Sequence, residues 1–584
     1  GENVPTVQEL PKYGHLVNLT AATYDRGSKV IGMIEERLGE AAFLDFMRQV
    51  YRKYQFQILR VADYQRELEA YTGKSWDDFF QHWVDGAGMC DWAVERVEGL
   101  SKYQLLNRMS YPHVIHLKQR GGYNEPTVLG IRLQEGDGYQ MRIPIYPDVA
   151  ELNVEEVHAK VTSRIVPGPK AGEDQAEVCV EVHLPCEPLQ ITVDPDALLL
   201  DSNLGNNRWK AESRFRWTPL YTQLDEVEVV NAYDRWNFTA GPWAQFSAYS
   251  DPWFSRSPLA GVRIGAMRLQ EFKGGAFIAY RTDDRNMIAG LDGLWDHVPL
   301  PKTQIGFAVE QSLETLGGDQ TPCSRGVVFG RYVLMYASSL YLPPFEYVET
   351  FASVQNRCLP EPRWMITGVN PFDERAAVGV HYHKNLLTPY WDPEGGLAFD
   401  ATYEYGVPAF DNPGFHQVFG QVSTVKSLPK FVTDLSEGPI MSWLKETRFA
   451  FRAAGAWASP QNGLFFTLGG GDHFRGFDLR ERQGNMNWLG SIEWRLPIVQ
   501  NVCWDVCDHV AGVRNVYVAP FYDVGQSYVN GNSQGEIAHA LGVGLRVDVT
   551  WLGLIERTML RFDVARTINS NVPWQFWFGI SHPF

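Results

Sequence analysis

Nothing in the sequence approaches the roughly eighteen consecutive apolar residues that a membrane-spanning helix needs, so a helical membrane protein is excluded. Cysteine is sparse. The seven are Cys90, Cys179, Cys186, Cys323, Cys358, Cys503 and Cys507, and no two form the C-x2-C pair of a zinc-binding knuckle. The H-E-x-x-H motif is absent as well, and with it the usual zinc site of a metallopeptidase. Positive charge is in deficit. There are 52 Lys and Arg against 69 Asp and Glu, a net charge of -17, which argues against broad nucleic-acid binding. No signal peptide follows Gly1. The chain therefore reads as a processed or partial product.

Aromatic residues, by contrast, are plentiful, at 13% with 19 Trp. A soluble domain rarely needs so many, whereas a membrane barrel places them in girdles at its two interfaces. A hydrophobic content of 45% with a mean hydropathy of -0.25 fits either a soluble protein or a barrel. At 584 residues, two to four domains are expected.

Hydrophobic periodicity divides the chain into three zones: 1–91, 92–206 and 207–584. In the first, YDRGSKVIGMIEERLG places Val30, Ile31, Ile34 and Leu38 on one helical face, and Gly39 supplies a stop. EAAFLDFMRQVYRKY follows with Phe43, Phe46 and Val50 in phase. VADYQRELEAYTG makes a third helix. SWDDFFQHWVDG makes a fourth, with Ser75 as N-cap and Asp78 as capping-box acid. The zone reads as part of a helical bundle.

In the second zone the period shortens. VLGIRLQ, YQMRIPIYP, AEVCVEVHL and LQITVDP are short strands parted by Gly, Asp and Pro turns, which predicts a small β-sandwich. It ends in DPDALLLDSNLGNNRW. Those acids and amides could suggest calcium, but EF-hand spacing is missing and a terminal turn cluster is the plainer reading.

The third zone alternates over long strands. In LGVGLRVDVTW, Val543, Leu545, Val547, Val549 and Trp551 point one way, and Gly542, Gly544, Arg546, Asp548 and Thr550 the other. MLRFDVAR sets Leu560, Phe562 and Val564 against Arg561 and Asp563. WLGSIEWRLP sets Trp488, Ile492, Trp494 and Leu496 against Ser491, Glu493 and Arg495. Charge always on one face and large apolar groups on the other predicts a closed transmembrane barrel, apolar outside. By the same phase, Asp523 shares a face with Tyr517, Ala519 and Phe521, opposite Val516, Val518 and Val524.

FTLGGGDHFRGFDLRE, with VAPFYDVGQ about forty-five residues later, resembles the BamA/TamA and two-partner-secretion superfamily of outer-membrane assembly barrels. The resemblance covers roughly residues 210–584. It implies sixteen strands, a periplasmic N-terminal region, and an R-G-F/Y tripeptide at the tip of the longest extracellular loop, here Arg475, Gly476 and Phe477. It also implies an F-x-D-x-G strand, here Phe521, Asp523 and Gly525, and a barrel signal at the terminal Phe584. A long loop entering a lumen needs an anchor, and the five-donor fork of Arg475 is suited to it. Asp523 is the expected partner, with Glu493 second; lumenal water is expected to screen the contact to about 1–3 kcal/mol.

TYDRGSKVIGMIEERLGEAAFLDFMRQVYRKYQF, then DDFFQHWVDGAG, is similar to the C-terminal part of the catalytic domain in aminopeptidase-N-type zinc peptidases, over roughly residues 15–205. The resemblance implies a catalytic-type tyrosine at Tyr24. Lacking H-E-x-x-H, this chain is expected to bind no stoichiometric zinc and to release no amino acids, and Tyr24 is expected to be structural. Zinc enters only if an upstream half exists. His381 and His383 in VGVHYHK share a strand face, but no third ligand can be read from the sequence and a polar lumen explains them as well. Cys503 and Cys507 are the closest cysteine pair, bonded or free.

The expected function is insertion or translocation of polypeptides at the outer membrane. Its partners would be outer-membrane lipid, periplasmic client polypeptides and accessory lipoproteins, with no nucleic acid. The alternative is a barrel-anchored zinc aminopeptidase whose metal-binding half lies upstream.

Overall fold

The structure is a computed structural model. It describes the chain apart from residues 1–3, 14–18, 100–102, 106–107, 137, 169–173, 210–212, 223–234, 246–258, 269–270, 282–285, 316–323, 337–342, 357–373, 388–392, 394, 410–413, 428–442, 445, 460–465, 480, 501, 503, 507–509, 530–535, 552–554 and 581–584. Phe584 and the pair Cys503 and Cys507 lie outside the described residues. Cys90, Cys179 and Cys186 are free thiols.

Four α-helices open the chain: α1 Gly27–Leu38, α2 Glu40–Tyr54, α3 Val61–Thr72 and α4 Asp77–Trp83. Val30 and Ile34 of α1 and Phe43, Phe46 and Val50 of α2 are buried. Ile31 is not: it is 38% exposed, and Met33 takes its place in the core. Val30, Met33 and Ile34 follow the i, i+3, i+4 spacing of one helical stripe, and Ile31 lies about 100° round the helix from Val30. The capping of α4 also departs from expectation. Trp76 is the N-cap residue, without a side-chain cap bond, while Ser75 Oγ accepts from the Asp77 amide at 3.2 Å. The Trp76 ring is buried and its amide donates to Glu69 at 2.9 Å, which delays the helix start by one residue.

A six-residue π-helix, Ala21–Arg26, leads into α1. Its last residue, Arg26, is fully buried and caps the far end of α4. Nε donates to the Trp83 carbonyl at 3.1 Å, Nη2 to Gly86 at 2.9 Å and Nη1 to Gly88 at 3.2 Å. A cation there meets the negative end of the helix and carbonyls with no partner within the helix.

The following strands form two sheets. One runs Trp92–Gly99, Arg108–Gln119, Asp174–Leu184, Ala159–Pro167, Glu151–Val154; the other Arg208–Trp209, Gln190–Val193, Thr127–Arg132, Met141–Ile145. The four strands read from the sequence are present. The central strand Arg108–Gln119 escapes such a reading because RMSYPHVIHLKQ mixes proline, histidine and charge. A single apolar core runs from Val30 and Phe46 through Trp83 and Trp92 to Ile131, Val180 and Val193, so helices and sheets are packed as one body.

The acidic stretch after this core is a turn cluster. Asp194 accepts the Leu198 and Leu199 amides, each at 2.9 Å, and Asp201 accepts the Trp92 amide at 2.9 Å and the Asn203 amide at 2.8 Å. Burial, reinforced by the Asp91 carboxylate, pushes Asp201 up to about 8. Folding then favours the protonated acid between the unfolded value near 3.8 and about 8. The stability Asp201 contributes is full below that window and is lost as pH rises through it. In the full chain, the thermal transition of this N-terminal body should fall by several degrees from pH 5 to pH 8, on the order of 2–4 °C per kcal/mol lost. Asp201→Asn should flatten the dependence; an unchanged slope in that variant would assign it to another group.

Among the described residues, the chain from Ser213 onward builds one nineteen-stranded sheet, of which sixteen strands, starting at Trp236, form an antiparallel barrel. They are β1 Trp236–Gln245, β2 Leu259–Arg268, β3 Phe272–Arg281, β4 Asn286–Asp296, β5 Thr303–Thr315, β6 Ser324–Met335, β7 Glu346–Asn356, β8 Glu374–Asn385, β9 Gly396–Gly406, β10 Phe415–Ser427, β11 Arg448–Ser459, β12 Met486–Val499, β13 Ala511–Tyr528, β14 Ala538–Trp551, β15 Ile555–Thr567 and β16 Gln575–Ile580. Each ladder pairs neighbours in sequence.

Burial across the wall is inverted relative to a soluble sheet. Ile264, Val328, Val543 and Phe578 are 68%, 59%, 48% and 62% exposed, while Arg331, Glu349, Arg546 and Asp563 are buried. Apolar groups outward and charges inward is the arrangement lipid requires. Val549 breaks the alternation; it is buried beside a register shift between Val549 and Trp551.

The edge of β1 opposite β2 is occupied in parallel by two short segments of the preceding linker, Ser213–Trp217 and Tyr221–Thr222. Among the described residues no ladder joins β16 to β1.

Candidate functional site

The loop between β11 and β12 turns inward. Within it Phe466–Leu468 pairs with Arg482–Gly484, a short hairpin that starts the descent. Gly469 and Gly470, at φ 133° and 117°, continue it through backbone conformations closed to other residues. At the tip, Phe474 and Phe477 meet at 4.5 Å and are fully buried with Leu468, Leu489, Ala538 and Ala540.

Arg475 between them is fully buried against the wall. Its Nε donates to Asp523 Oδ2 at 2.9 Å and its Nη2 to Oδ1 at 2.8 Å, a bidentate pair. The Arg475 amide donates to the same carboxylate at 3.1 Å, Nη1 to Glu493 Oε2 at 2.8 Å, and Nη2 to Ser491 Oγ at 3.2 Å. The guanidinium lies 3.3 Å from the centre of the Phe521 ring. Residues from β12 and β13, placed two apart on one face, thus surround the fork on three sides.

The network continues sideways. Arg546 on β14 donates to Glu493 Oε2 at 2.7 Å and to Asp563 Oδ1 at 2.6 Å. Arg495 donates to Glu493 Oε1 at 3.2 Å. Arg561 on β15 reaches the loop's Asp472, and Arg452 on β11 donates to the Asp472 and His473 carbonyls at 2.7 and 2.9 Å. Trp577 on β16 donates to the Arg475 carbonyl at 2.8 Å, and Thr567 to the Gly476 carbonyl at 2.7 Å. The loop tip therefore touches β11 through β16. Arg475, Asp523 and Glu493 are fully buried at the contact, so bulk water does not screen it. The expectation of a screened pair is corrected on that point, and buried-pair energetics apply.

Two glycines are dictated by close approach. A Cβ on Gly476 would sit 2.5 Å from Ala540 Cβ and 2.7 Å from Thr567 Oγ1. One on Gly525 would sit 2.8 Å from the Trp488 carbonyl oxygen. The structure thus brings Arg475, Gly476, Phe477, Asp523, Glu493 and Gly525 into one place. Arg546, Arg561, Arg452, Thr567 and Trp577 join them. Their inward phase is visible in the sequence for Arg546 and Arg561, but which of several inward charges faces the loop depends on strand register.

No protein-family model matches the chain, and no curated protein does. Among solved structures, BamA from Haemophilus ducreyi lacking POTRA domains 1–3 aligns over 73% of this chain and 89% of its own, at 11% identity and a TM-score of 0.37. CdiB from Escherichia coli aligns over 72% and 78%, at 10% identity and a TM-score of 0.31. CdiB from Acinetobacter baumannii aligns over 56% of each chain, at 12% identity and a TM-score of 0.29. Likeness this slight assigns no family.

The peptidase-like tyrosine lies elsewhere. Tyr24 sits in the π-helix and is 71% exposed. No cluster of metal-ligating side chains accompanies it among the described residues.

Proposed function

We propose that this chain is an outer-membrane protein that inserts or translocates polypeptides, receiving them on its N-terminal body in the periplasm. The observation carrying the proposal is the edge of β1. A membrane barrel normally satisfies its first strand with its last, because an unpaired backbone group in lipid costs several kcal/mol. Here short linker strands lie along that edge in parallel. An edge covered by two short separate segments, rather than by one continuous barrel strand, suits exchange with an incoming strand, the mode of recognition in which main-chain hydrogen bonds supply affinity. The buried network ties β11 through β16 to the inward loop and gives the barrel a rigid part beside a replaceable edge.

The purified chain, reconstituted into liposomes, should accelerate folding of a urea-unfolded outer-membrane barrel polypeptide at least tenfold over empty liposomes, read as the fraction migrating in folded form on unboiled gels. Equal rates with and without the chain would overturn the proposal. Recovery of the chain as a detergent-free soluble monomer would remove its premise.

The aminopeptidase alternative has less beneath it. Tyr24 is exposed, and its neighbour Arg26 is committed to capping α4.

A further inference from the structure

His381 and His383 on β8 acquire in the fold the partner that the sequence does not show. His383 stands directly across the ladder from Asp400 of β9, and His381 is diagonal to it on the same face. Both rings aim at one oxygen. His383 Nδ1 is 2.7 Å from Asp400 Oδ1, and His381 Nε2 is 3.2 Å from it. The three donor atoms all lie within 4.8 Å of one another, and no other such trio occurs among the described residues.

We propose that His381, His383 and Asp400 bind a divalent transition-metal ion of the zinc class. The chemistry of the set is apt. Two imidazoles and one carboxylate are three-ligand zinc donors that leave a fourth position for water. With bonds of about 2.0 Å, tetrahedral geometry needs donor atoms about 3.3 Å apart. The two measured separations are close to that, so rotations of the side chains alone admit the ion.

The surroundings also fit. His381 Nδ1, the ring nitrogen turned away from Asp400, is 4.0 Å from Glu349 Oε1 on β7. That separation is longer than a hydrogen bond, but a small rotation of the ring would close it, and a carboxylate bonded to the far nitrogen of a ligating histidine orients the ring and raises its basicity. Glu349 is itself held by Arg331, its cross-strand neighbour. Tyr347, also buried, lies against both rings, with centroids 5.8 Å from His381 and 5.0 Å from His383. The residues thus come from three adjacent strands and restrict one another's rotamers. Asp400 and His383 keep 23% and 24% of their side-chain surface exposed, which leaves a path for the ion and its water.

The position suggests the role. The trio sits where β8 ends and β9 begins, at the barrel end from which β1 starts and to which the N-terminal body connects. A bound ion would clip two wall strands there. The sequence-based expectation of no metal rested on the missing H-E-x-x-H and on the want of a third ligand, and Asp400 removes the second ground. The inference needs only the barrel wall and is independent of client transport.

Cobalt(II) is the probe, because its visible absorption reports donor geometry. The full chain in detergent, stripped with chelator, should take up one Co(II) with intense bands of four-coordinate geometry, and Zn(II) should displace it. His383→Ala and Asp400→Ala should each weaken Zn(II) binding at least tenfold. His381→Ala should do the same, whereas Glu349→Gln should weaken it less and preserve the spectrum. Folded migration on unboiled gels serves as the control that the variants remain intact. Absence of the Co(II) bands in the intact chain, or Zn(II) affinity unchanged by all three ligand substitutions, would overturn the assignment.

Discussion

Arg475→Ala should detach the loop between β11 and β12 from the lumenal wall while leaving the barrel folded. The substitution removes the four hydrogen bonds of the guanidinium and leaves Asp523 and Glu493 fully buried with their charge only partly compensated. Breaking one side of a buried ion pair typically costs about 3–5 kcal/mol, more than the contact's net worth, because the remaining charge has no water to turn to. Arg546 and Arg495 still neutralise Glu493, so Asp523 is the group most exposed to the loss. A protease added outside intact cells should cut the loop in the variant and spare it in the parent. Folded migration on unboiled gels should persist, since all fifteen ladders between β1 and β16 are untouched. Arg475→Lys should rescue only in part, because an ammonium cannot bridge both Asp523 oxygens and Glu493 in one plane. Combining Arg475→Ala with Asp523→Asn should cost less than the sum of the two, as both act on one buried pair. Full protection of the loop in Arg475→Ala would show that the aromatic tip holds it without the charge.

Gly476→Val should displace the same loop by a different route. The added side chain would begin 2.5 Å from Ala540 Cβ, and a methyl fixed to a strand cannot swing aside. Overpacking alone costs about 1–3 kcal/mol. Moving the tip outward would also break the bonds from Thr567 and Trp577 to the Gly476 and Arg475 carbonyls. Loop cleavage comparable to that of Arg475→Ala is expected, with normal membrane fractionation. The two substitutions share a cause, so together they should expose the loop little more than either alone. If Gly476→Val left the loop protected, the tip would have to tolerate a shift of the β14–β15 wall. In that case the close fit would not be what places Arg475.

Barrel and latch were unequally readable. Alternation along β14 or β15 assigns each residue to lipid or lumen because the strand period is two, and a membrane enforces the difference without exception for charge. Hence the inward placement of Glu493, Arg546, Asp523 and Asp563 follows from local pattern. The inner sandwich strand Arg108–Gln119 was harder to read because its buried face, His113, Ile115, Leu117 and Gln119, mixes apolar residues with a histidine and an amide. Its burial alternates, but its polarity does not.

The sequence by itself determined the helical stripes that bury Val30, Ile34 and Phe46, the two-fold alternation of the wall, and the residue types able to anchor a loop in a lumen. These are local properties, set by helix and strand periods within a few residues. Only the tertiary structure decided that Arg475 is shared by Asp523 and Glu493, that the contact is dry, that Arg26 caps α4, and that Asp400 completes a trio with His381 and His383. Each of these depends on strand register or on chain segments tens of residues apart. A shift of a strand by one residue would turn every one of its side chains to the opposite face.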